Sequence, residues 1–138
     1  MKLIAALLTV YNRKQKTLKC LEQLFNNKLP DGYLLDVYLV DNGSTDGTAE
    51  AVKSNFPQVN VITGSGNLFW NRGMHRAWAV SVATKKYDFY LWLNDDTFIF
   101  DDTLEHLLAC SEELNYNSIV CGSLCSENDC TKVTYGPR

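Results

Sequence analysis

Short apolar runs alternate with longer segments of helical periodicity along this chain, and no other feature restricts its fold as strongly. Residues 3–9 form a continuous apolar run closed by a polar cluster, which is typical of a strand buried on both faces. The next segment, residues 13–27, places its apolar side chains on one face of a helix. Strands that alternate with helices predict βαβ units, and therefore an α/β domain with a mainly parallel sheet covered by helices on both faces.

The same periodicities assign the rest of the chain. The predicted strands are residues 3–9, 34–40, 59–63, 89–93 and 119–124. The predicted helices are residues 13–27, 47–55, 68–85 and about 101–114. A polar, hairpin-like tail follows the last predicted strand. The length of 138 residues suits a single domain, residues 1–138.

Charge and cysteine content exclude some classes of protein. The formal net charge of −3 gives no electrostatic footprint for a nucleic-acid partner. The five cysteines are an odd number without a Cys-x-x-Cys pair, which argues against a disulfide framework and favours the cytoplasm.

The apolar run at residues 3–10 is too short to span a bilayer. It lacks the small-residue cleavage site of a signal peptide, so we interpret it as a buried strand.

Polar residues follow three of the predicted strands, at residues 9–12, 41–44 and 94–97. The carboxyl ends of parallel strands share one edge of the sheet, and ligands of open α/β sheets bind in the crevice outside that edge. Segments far apart in the sequence are therefore expected to meet at one pocket.

Asp95 and Asp96 have two interpretations. Adjacent carboxylates at a strand end repel one another, and oxygen ligands of this kind suit Mg²⁺ or Mn²⁺ bridged to a substrate's phosphates. The other interpretation, which the pair taken alone favours, is that they are residues of a turn or of the cap of the next helix. Asp101 and Asp102 can cap the following helix instead, which weakens the second interpretation.

The segment 41–47 also has two interpretations. It suits a strand-to-helix turn, in which glycine permits a positive φ and Ser44 or Asp46 caps the helix. A carboxylate held at the strand end can also accept an N–H hydrogen bond from a pyrimidine base. We expect the segment to do both, with Asp41 and Asn42 facing the ligand.

Segments 9–13, 40–48 and 93–97 resemble, in this order, successive motifs of family 2 glycosyltransferases, which have the Rossmann-like GT-A fold. Segment 66–73 lies where that family has an Asn- and Gly-rich loop entering a helix. The resemblance covers nearly the whole chain. It implies that residues 1–138 are the nucleotide-sugar-binding N-terminal part of such an enzyme, without the later part that binds the acceptor.

The resemblance also implies roles for individual residues. Thr9 and Tyr11 would line the nucleoside pocket, and Asp41 or Asn42 would bind the base. Asp95 would lie near the ribose. Asp96, which matches the last carboxylate of the family's Asp-x-Asp motif, would bind the metal, Mg²⁺ or Mn²⁺. The remaining candidates for contact with the nucleotide sugar are Asn12, Asn67 and Arg72.

The sequence departs from the family at several of these positions. Asn94 stands where the first Asp of Asp-x-Asp often is, and it brings no charge to the metal. Arg72 replaces a small residue, and either contacts the diphosphate or is a solvated helix residue. His75 stands where the family often has Asn, and we interpret it as structural or exposed. Trp70 is the tryptophan expected to touch a sugar.

The sequence therefore predicts metal-assisted transfer of a sugar from a UDP- or dTDP-sugar to a hydroxyl of a glycan or lipid-linked acceptor. The resemblance suggests inversion through a general base, which we cannot assign in this chain. A catalytically inactive nucleotide-sugar-binding module, or a truncated fragment, is the alternative. We expect a cytoplasmic location, with peripheral contact at the inner face of the membrane as an option.

Two other classes fit less well. A phosphoryl-transfer enzyme that uses an Asp pair would need a nucleophilic Asp after the first strand, and residues 9–11 include no Asp. A dinucleotide-binding oxidoreductase would want a third glycine after Gly64-Ser65-Gly66.

Overall fold

The computed structural model describes residues 1–126 and 129–136. Strands and helices alternate along the first 113 residues, as the apolar pattern predicts. In chain order the elements are β1 (Lys2–Val10), α1 (Lys14–Phe25), β2 (Tyr33–Asp41), α2 (Thr48–Asn55), β3 (Asn60–Thr63), α3 (Phe69–Thr84), β4 (Phe89–Trp92), α4 (Thr103–Glu113), β5 (Leu124–Ser126) and β6 (Asp129–Tyr135).

Four of these strands form one parallel sheet in the order β3-β2-β1-β4. The first strand lies inside the sheet and pairs with β2 over its whole length, from Lys2 opposite Tyr33 to Val10 opposite Asp41. Its continuous apolar run is buried from Ile4 to Val10, because helices cover both faces of an internal parallel strand. The predicted α/β architecture is confirmed.

Alternate side chains of the central strands point into two separate cores. On one face, Ala6 and Leu8 pack with residues from α1, α2 and α4, namely Leu21, Val52 and Leu104. On the other face, Leu7 and Val40 pack with Met74 and Ala77 of α3. Because successive strand residues point to opposite faces, a single apolar run serves both layers. Helices thus lie on both faces of the sheet, as expected.

The predicted fifth strand at residues 119–124 is wrong. Residues 119–123 have no strand pairing, and the side chain of Ile119 is 94% exposed. The strand that the structure describes is β5, which begins at Leu124 and pairs antiparallel with β6 in a two-stranded hairpin outside the main sheet. An apolar run becomes a strand only where a neighbouring strand offers its backbone groups, and residues 119–123 lie beside no such partner in the described structure. The hairpin-like tail is present as expected.

A polar network joins the sheet to the end of α3, away from the strand ends considered below. Asp36 Oδ2 accepts hydrogen bonds from Tyr87 Oη at 2.7 Å and from Lys85 Nζ at 2.7 Å. The hydroxyls of Tyr87 and Tyr38 lie 2.8 Å apart inside the core.

The helices in the described part of the chain are too short or too polar to span a bilayer.

Candidate functional site

The carboxyl ends of β1, β2 and β4 lie at one edge of the sheet, which we call the rim. Asn42 continues the pairing beyond β2, since its N–H donates to the Val10 carbonyl at 2.9 Å. On the other side of β1, the N–H of Leu93 donates to the Leu7 carbonyl at 3.1 Å. Asp41 and Asp96 therefore lie at the same edge, because all three strands are parallel. The expected meeting of distant polar segments is present.

Asp95 and Asp96 share one cation, the guanidinium of Arg13. Its Nη1 atom lies 3.1 Å from Asp95 Oδ1 and 2.8 Å from Asp96 Oδ2. Thr17 Oγ1, one turn into α1, donates to Asp95 Oδ2 at 3.3 Å. The two carboxylates differ in exposure: the side chain of Asp95 is 6% exposed and that of Asp96 is 39% exposed. Asp96 is therefore open to solvent, whereas Asp95 lies beneath the surface beside it.

The burial of Asp95 has an electrostatic consequence. Burial raises the pKa of its carboxyl, Arg13 opposes that change, and the neighbouring charge of Asp96 adds to it. Cys20, which lies beneath the pair with Sγ 3.5 Å from the Asn94 carbonyl, responds to the same field. Burial and the charges of Asp95 and Asp96 raise the pKa of its thiol to about 12. The rim is thus a region of negative potential that one arginine only partly neutralises.

The end of β2 anchors a loop beside the rim. Asp41 Oδ1 accepts the Ser44 N–H at 2.8 Å, which forms the turn. Asn42 Oδ1 accepts two loop amides, from Gly66 at 3.0 Å and from Leu68 at 3.2 Å. Asn42 thereby holds the loop that leads into α3. Base recognition by Asp41 or Asn42 stays a prediction. The side-chain oxygen of Asn42 already accepts hydrogen bonds from the loop amides.

Asn12 joins the turn after β1 to the turn after β2. Its N–H donates to Ser44 Oγ at 2.9 Å, and its Oδ1 accepts the Thr45 N–H at 2.7 Å. Asn12 has a φ of 49°, a left-handed conformation that Asn tolerates better than most residues. Asp46 accepts the first N–H groups of two helices, from Lys14 and from Thr48, each at 3.0 Å. These bonds fix both turns at the rim.

The other candidate residues differ in accessibility. Thr9 is nearly buried at the end of β1, against Gly73 of α3. Tyr11 is 56% exposed, and Asn67 and Arg72 are also exposed, in the loop before α3 and in its first turn. These three side chains are therefore accessible from solvent. Their contacts with a nucleotide sugar stay predictions.

Asn94 and Trp70 form a contact across the rim. Trp70 Nε1 donates to Asn94 Oδ1 at 2.8 Å, and the Trp70 ring packs edge-on against Trp92 with ring centroids 6.0 Å apart. The side-chain oxygen of Asn94 accepts this indole N–H, a contact that an Asp carboxylate at the same position would also make. Trp70 is still 49% exposed, so part of its ring faces solvent beside Asp95 and Asp96.

Our sequence reasoning gave no role to Arg13 or Thr17. Both lie 78 to 83 residues from their carboxylate partners, so no local pattern pairs them. One signal was available for Arg13. It directly follows the polar segment 9–12 at a strand end, where a cation is the expected counter-charge for a carboxylate pair.

The carboxylates that the rim could offer to a divalent cation are few. Among residues 1–126 and 129–136 there is no group of three or more His, Cys, Asp and Glu side chains that would enclose a metal. Asp96, backed by Asp95, offers one or two oxygen ligands. Mg²⁺ and Mn²⁺ are commonly bound in this way, by one or two carboxylates together with substrate phosphates.

Solved structures share this fold. S. aureus TarS matches with a TM-score of 0.62 and 23% identity, over 83% of this chain and 20% of TarS. TarS 1–349 in complex with UDP matches with a TM-score of 0.61 and 21% identity, over 92% of this chain and 40% of the other. The mannosyltransferase PcManGT from Pyrobaculum calidifontis, in complex with GDP-Man and Mn²⁺, matches with a TM-score of 0.52 and 20% identity, over 67% of this chain and 27% of the other.

The chain thus spans less than half the length of these proteins, and the likeness shows a common GT-A fold. No curated protein matches the sequence. The family model for glycosyl transferase family 2, by contrast, matches residues 6–137, nearly the whole chain. Together with the parallel sheet and its carboxylate rim, this match shows that the chain belongs to glycosyl transferase family 2.

Proposed function

We propose that this chain forms the donor site of a glycosyltransferase. It binds a UDP- or dTDP-sugar with Mg²⁺ or Mn²⁺, and serves transfer of the sugar, with inversion, to a hydroxyl of a glycan or lipid-linked acceptor. The observation that carries the proposal is the meeting of three polar segments at one rim, with the carboxylates of Asp95 and Asp96 beside the loop anchored by Asn42.

Each part of the rim has a task in this proposal. Asp96 holds the metal, and Asp95 lies near the ribose. A bound metal would stabilise the negative charge that develops on the departing diphosphate. The nucleoside and diphosphate are held by the other predicted contacts: Thr9, Tyr11, Asn12, Asp41, Asn42, Asn67 and Arg72.

Ligands of the structural neighbours support the chemical class. TarS 1–349 has been solved in complex with UDP and with UDP-GlcNAc, and PcManGT with GDP-Man and Mn²⁺. Apart from Mn²⁺, these ligands are a nucleoside diphosphate and two nucleoside diphosphate sugars. A rim with two turns and a carboxylate pair is the part of this chain that suits such a ligand.

The proposal is tested by titrating the chain with UDP, dTDP and GDP, with and without Mn²⁺, in a calorimeter. We expect metal-dependent binding of UDP or dTDP that Asp96→Asn weakens by at least about tenfold, since a metal-bound diphosphate loses a charged ligand. Asp101→Asn is the matched control. Asp101 is exposed, and its carbonyl accepts the N–H of Lys28 beyond the far end of α1.

Nucleotide binding that is independent of metal, or equal in Asp96→Asn and the wild-type chain, would contradict this assignment. Weakening by Asp101→Asn to the same extent would show a general charge effect instead of a site at Asp96.

Binding without transfer is the second candidate function. The carboxylates Asp41, Asp95 and Asp96 at the rim each have a protein partner, which leaves the general base of an inverting transfer unassigned. Incubation of the chain with UDP-sugars and Mn²⁺, with and without saccharide acceptors, separates the two candidates. Transfer or slow donor hydrolysis supports an enzyme, whereas binding with neither product supports a binding module.

The cytoplasmic location and the contact with a membrane stay predictions.

A further inference from the structure

Arg13 pairs with the residue that the proposed function gives to the metal. Its Nη1 atom is closer to Asp96 Oδ2, at 2.8 Å, than to Asp95 Oδ1, at 3.1 Å. Asp96 is also the more exposed of the two carboxylates, at 39% against 6%. The arginine thus makes its shorter contact with the carboxylate that a ligand from solvent can reach.

The contact between Arg13 and Asp96 lies at the surface, where it can open toward solvent. The guanidinium-bearing side chain is 48% exposed, so its release opens no core. The backbone of Arg13 is held separately, because its carbonyl accepts the Thr17 N–H at 2.9 Å. Asp95 keeps the hydrogen bond from Thr17 Oγ1 when the guanidinium moves. The ion pair is therefore a movable contact on a fixed backbone.

Simple electrostatics makes the guanidinium a competitor of a divalent cation. Two carboxylates and one guanidinium sum to a single negative charge, which attracts a dication less strongly than two free carboxylates do. A guanidinium that remains against Asp96 also repels the metal directly. A diphosphate changes the balance, since its oxygens are acceptors for a planar guanidinium and ligands for the metal at the same time.

We propose that Arg13 is a positioning residue that competes with the divalent cation for Asp96 and releases it when a diphosphate binds, so that metal and nucleotide bind together. This inference rests on the proposed function and adds a dependence between its two ligands. The metal alone binds weakly, and the metal together with the nucleotide binds well. By linkage, the factor by which UDP strengthens Mn²⁺ binding equals the factor by which Mn²⁺ strengthens UDP binding.

The test measures Mn²⁺ affinity by electron paramagnetic resonance, with and without saturating UDP, for the wild-type chain and Arg13→Gln. In the variant we expect Mn²⁺ alone to bind at least about fivefold more tightly, because a nearby positive charge is removed from a partly exposed site. The strengthening of Mn²⁺ binding by UDP is expected to shrink, because the variant has no ion pair for the diphosphate to release.

Lys53→Gln is the matched control, because it removes one positive charge from the exposed last turn of α2. Its Mn²⁺ affinity is expected to stay within about twofold of the wild-type value, as screening weakens distant charges. Arg13→Lys keeps the charge but not the forked geometry, and we expect its Mn²⁺ affinity without UDP to lie between those of Arg13→Gln and the wild-type chain. Circular dichroism verifies the fold of each variant, and Arg13→Lys carries the test if Arg13→Gln does not fold.

The outcomes separate this inference from the proposed function. If wild type binds Mn²⁺ with UDP, and Arg13→Gln binds Mn²⁺ alone no more tightly than wild type, the competition is overturned and the donor site stands. If Arg13→Gln and Lys53→Gln strengthen Mn²⁺ binding equally, the effect is general charge and the inference also fails. If neither wild type nor Arg13→Gln binds Mn²⁺ in the presence of UDP, both the inference and the proposed function fail.

Discussion

The position of Asp95 in the fold disfavours the ionised form of its carboxyl group. It is almost fully buried, and burial raises the pKa of its carboxyl despite the opposing charge of Arg13. Groups of this kind concentrate at functional sites, where a ligand or a reaction uses the charge that the fold disfavours. At the rim, a cation brought by the substrate would stabilise the ionised form of Asp95. The cost in stability is therefore consistent with a binding role.

Asp95→Asn should make the fold less sensitive to rising pH. The folded pKa lies above the unfolded one, so the folded state holds more protons between the two values, and wild-type stability falls as pH rises through that window. The window begins near the ordinary Asp pKa of about 3.9. Relative to wild type, the variant is expected to gain stability through the window and keep the gain at neutral pH.

Urea unfolding of both chains across this pH range, with Asp101→Asn as control, measures the difference. A difference between Asp95→Asn and wild type that stays constant with pH would show that the raised pKa of Asp95 plays no part in stability.

At the scale of elements, the close approach of α3 to β1 depends on one glycine. Gly73 is buried in α3, and a Cβ at this position would overlap Thr9 Oγ1 and lie 2.8 Å from Thr9 Cβ. Rotation of the Thr9 side chain moves Oγ1 away but leaves its Cβ in place. The helix can therefore pack on the end of β1, beside the rim, only without a side chain at position 73.

Gly73→Ala should destabilise the fold by up to about 2 kcal/mol. Overpacking typically costs about 1–3 kcal/mol, and the better helix propensity of alanine offsets about 1 kcal/mol of that. Chemical denaturation measures the change. Gly122→Ala is the control, because a Cβ at that position meets no atom within 4 Å. A variant at position 73 that is more stable than wild type by about 1 kcal/mol, the gain in helix propensity alone, would show that α3 shifts without cost.

The missing fifth strand also belongs to the scale of elements. Residues 119–124 are as apolar as a short strand, and periodicity alone cannot distinguish them from one. In the structure α4 ends at Glu113, and Asn115 and Tyr116 follow in left-handed conformations, with φ values of 53° and 59°. The turn directs residues 119–123 past β4 without pairing, so the connection and not the composition decided the outcome.

In the molecule as a whole, the fold shifts the pKa values of Asp36 and Asp46 in the direction opposite to that of Asp95. Burial alone would raise the pKa of Asp36, but hydrogen bonds from Lys85 and Tyr87 outweigh it and lower the pKa. Asp46 also has a lowered pKa, because Thr48 and the Lys14 amide donate hydrogen bonds to it. These two carboxylates stabilise the fold, whereas Asp95 destabilises it when ionised.

Asp36→Asn should therefore show a pH dependence opposite to that of Asp95→Asn. A lowered folded pKa gives stability that is present above the unfolded pKa of about 3.9 and is lost as pH falls through the folded value. Relative to wild type, we expect the variant to be less stable at neutral pH, with the difference shrinking on acidification. Urea unfolding between neutral pH and pH about 3 measures it. A difference that grows on acidification would contradict the lowered pKa.

The first four strands, the four helices, the parallel sheet and the common rim were predictable from the sequence, because the period of apolar residues and the order of polar strand ends are local properties of the chain. The family was predictable from the resemblance of segments 9–13, 40–48 and 93–97 to its motifs. The folded molecule was needed to learn that Arg13 pairs with carboxylates 82 and 83 residues away, and that Asn42 holds the loop before α3. It also decided the raised pKa of Asp95. Such properties depend on distances between residues remote in the sequence, and these distances are defined only once the helices have packed on the sheet.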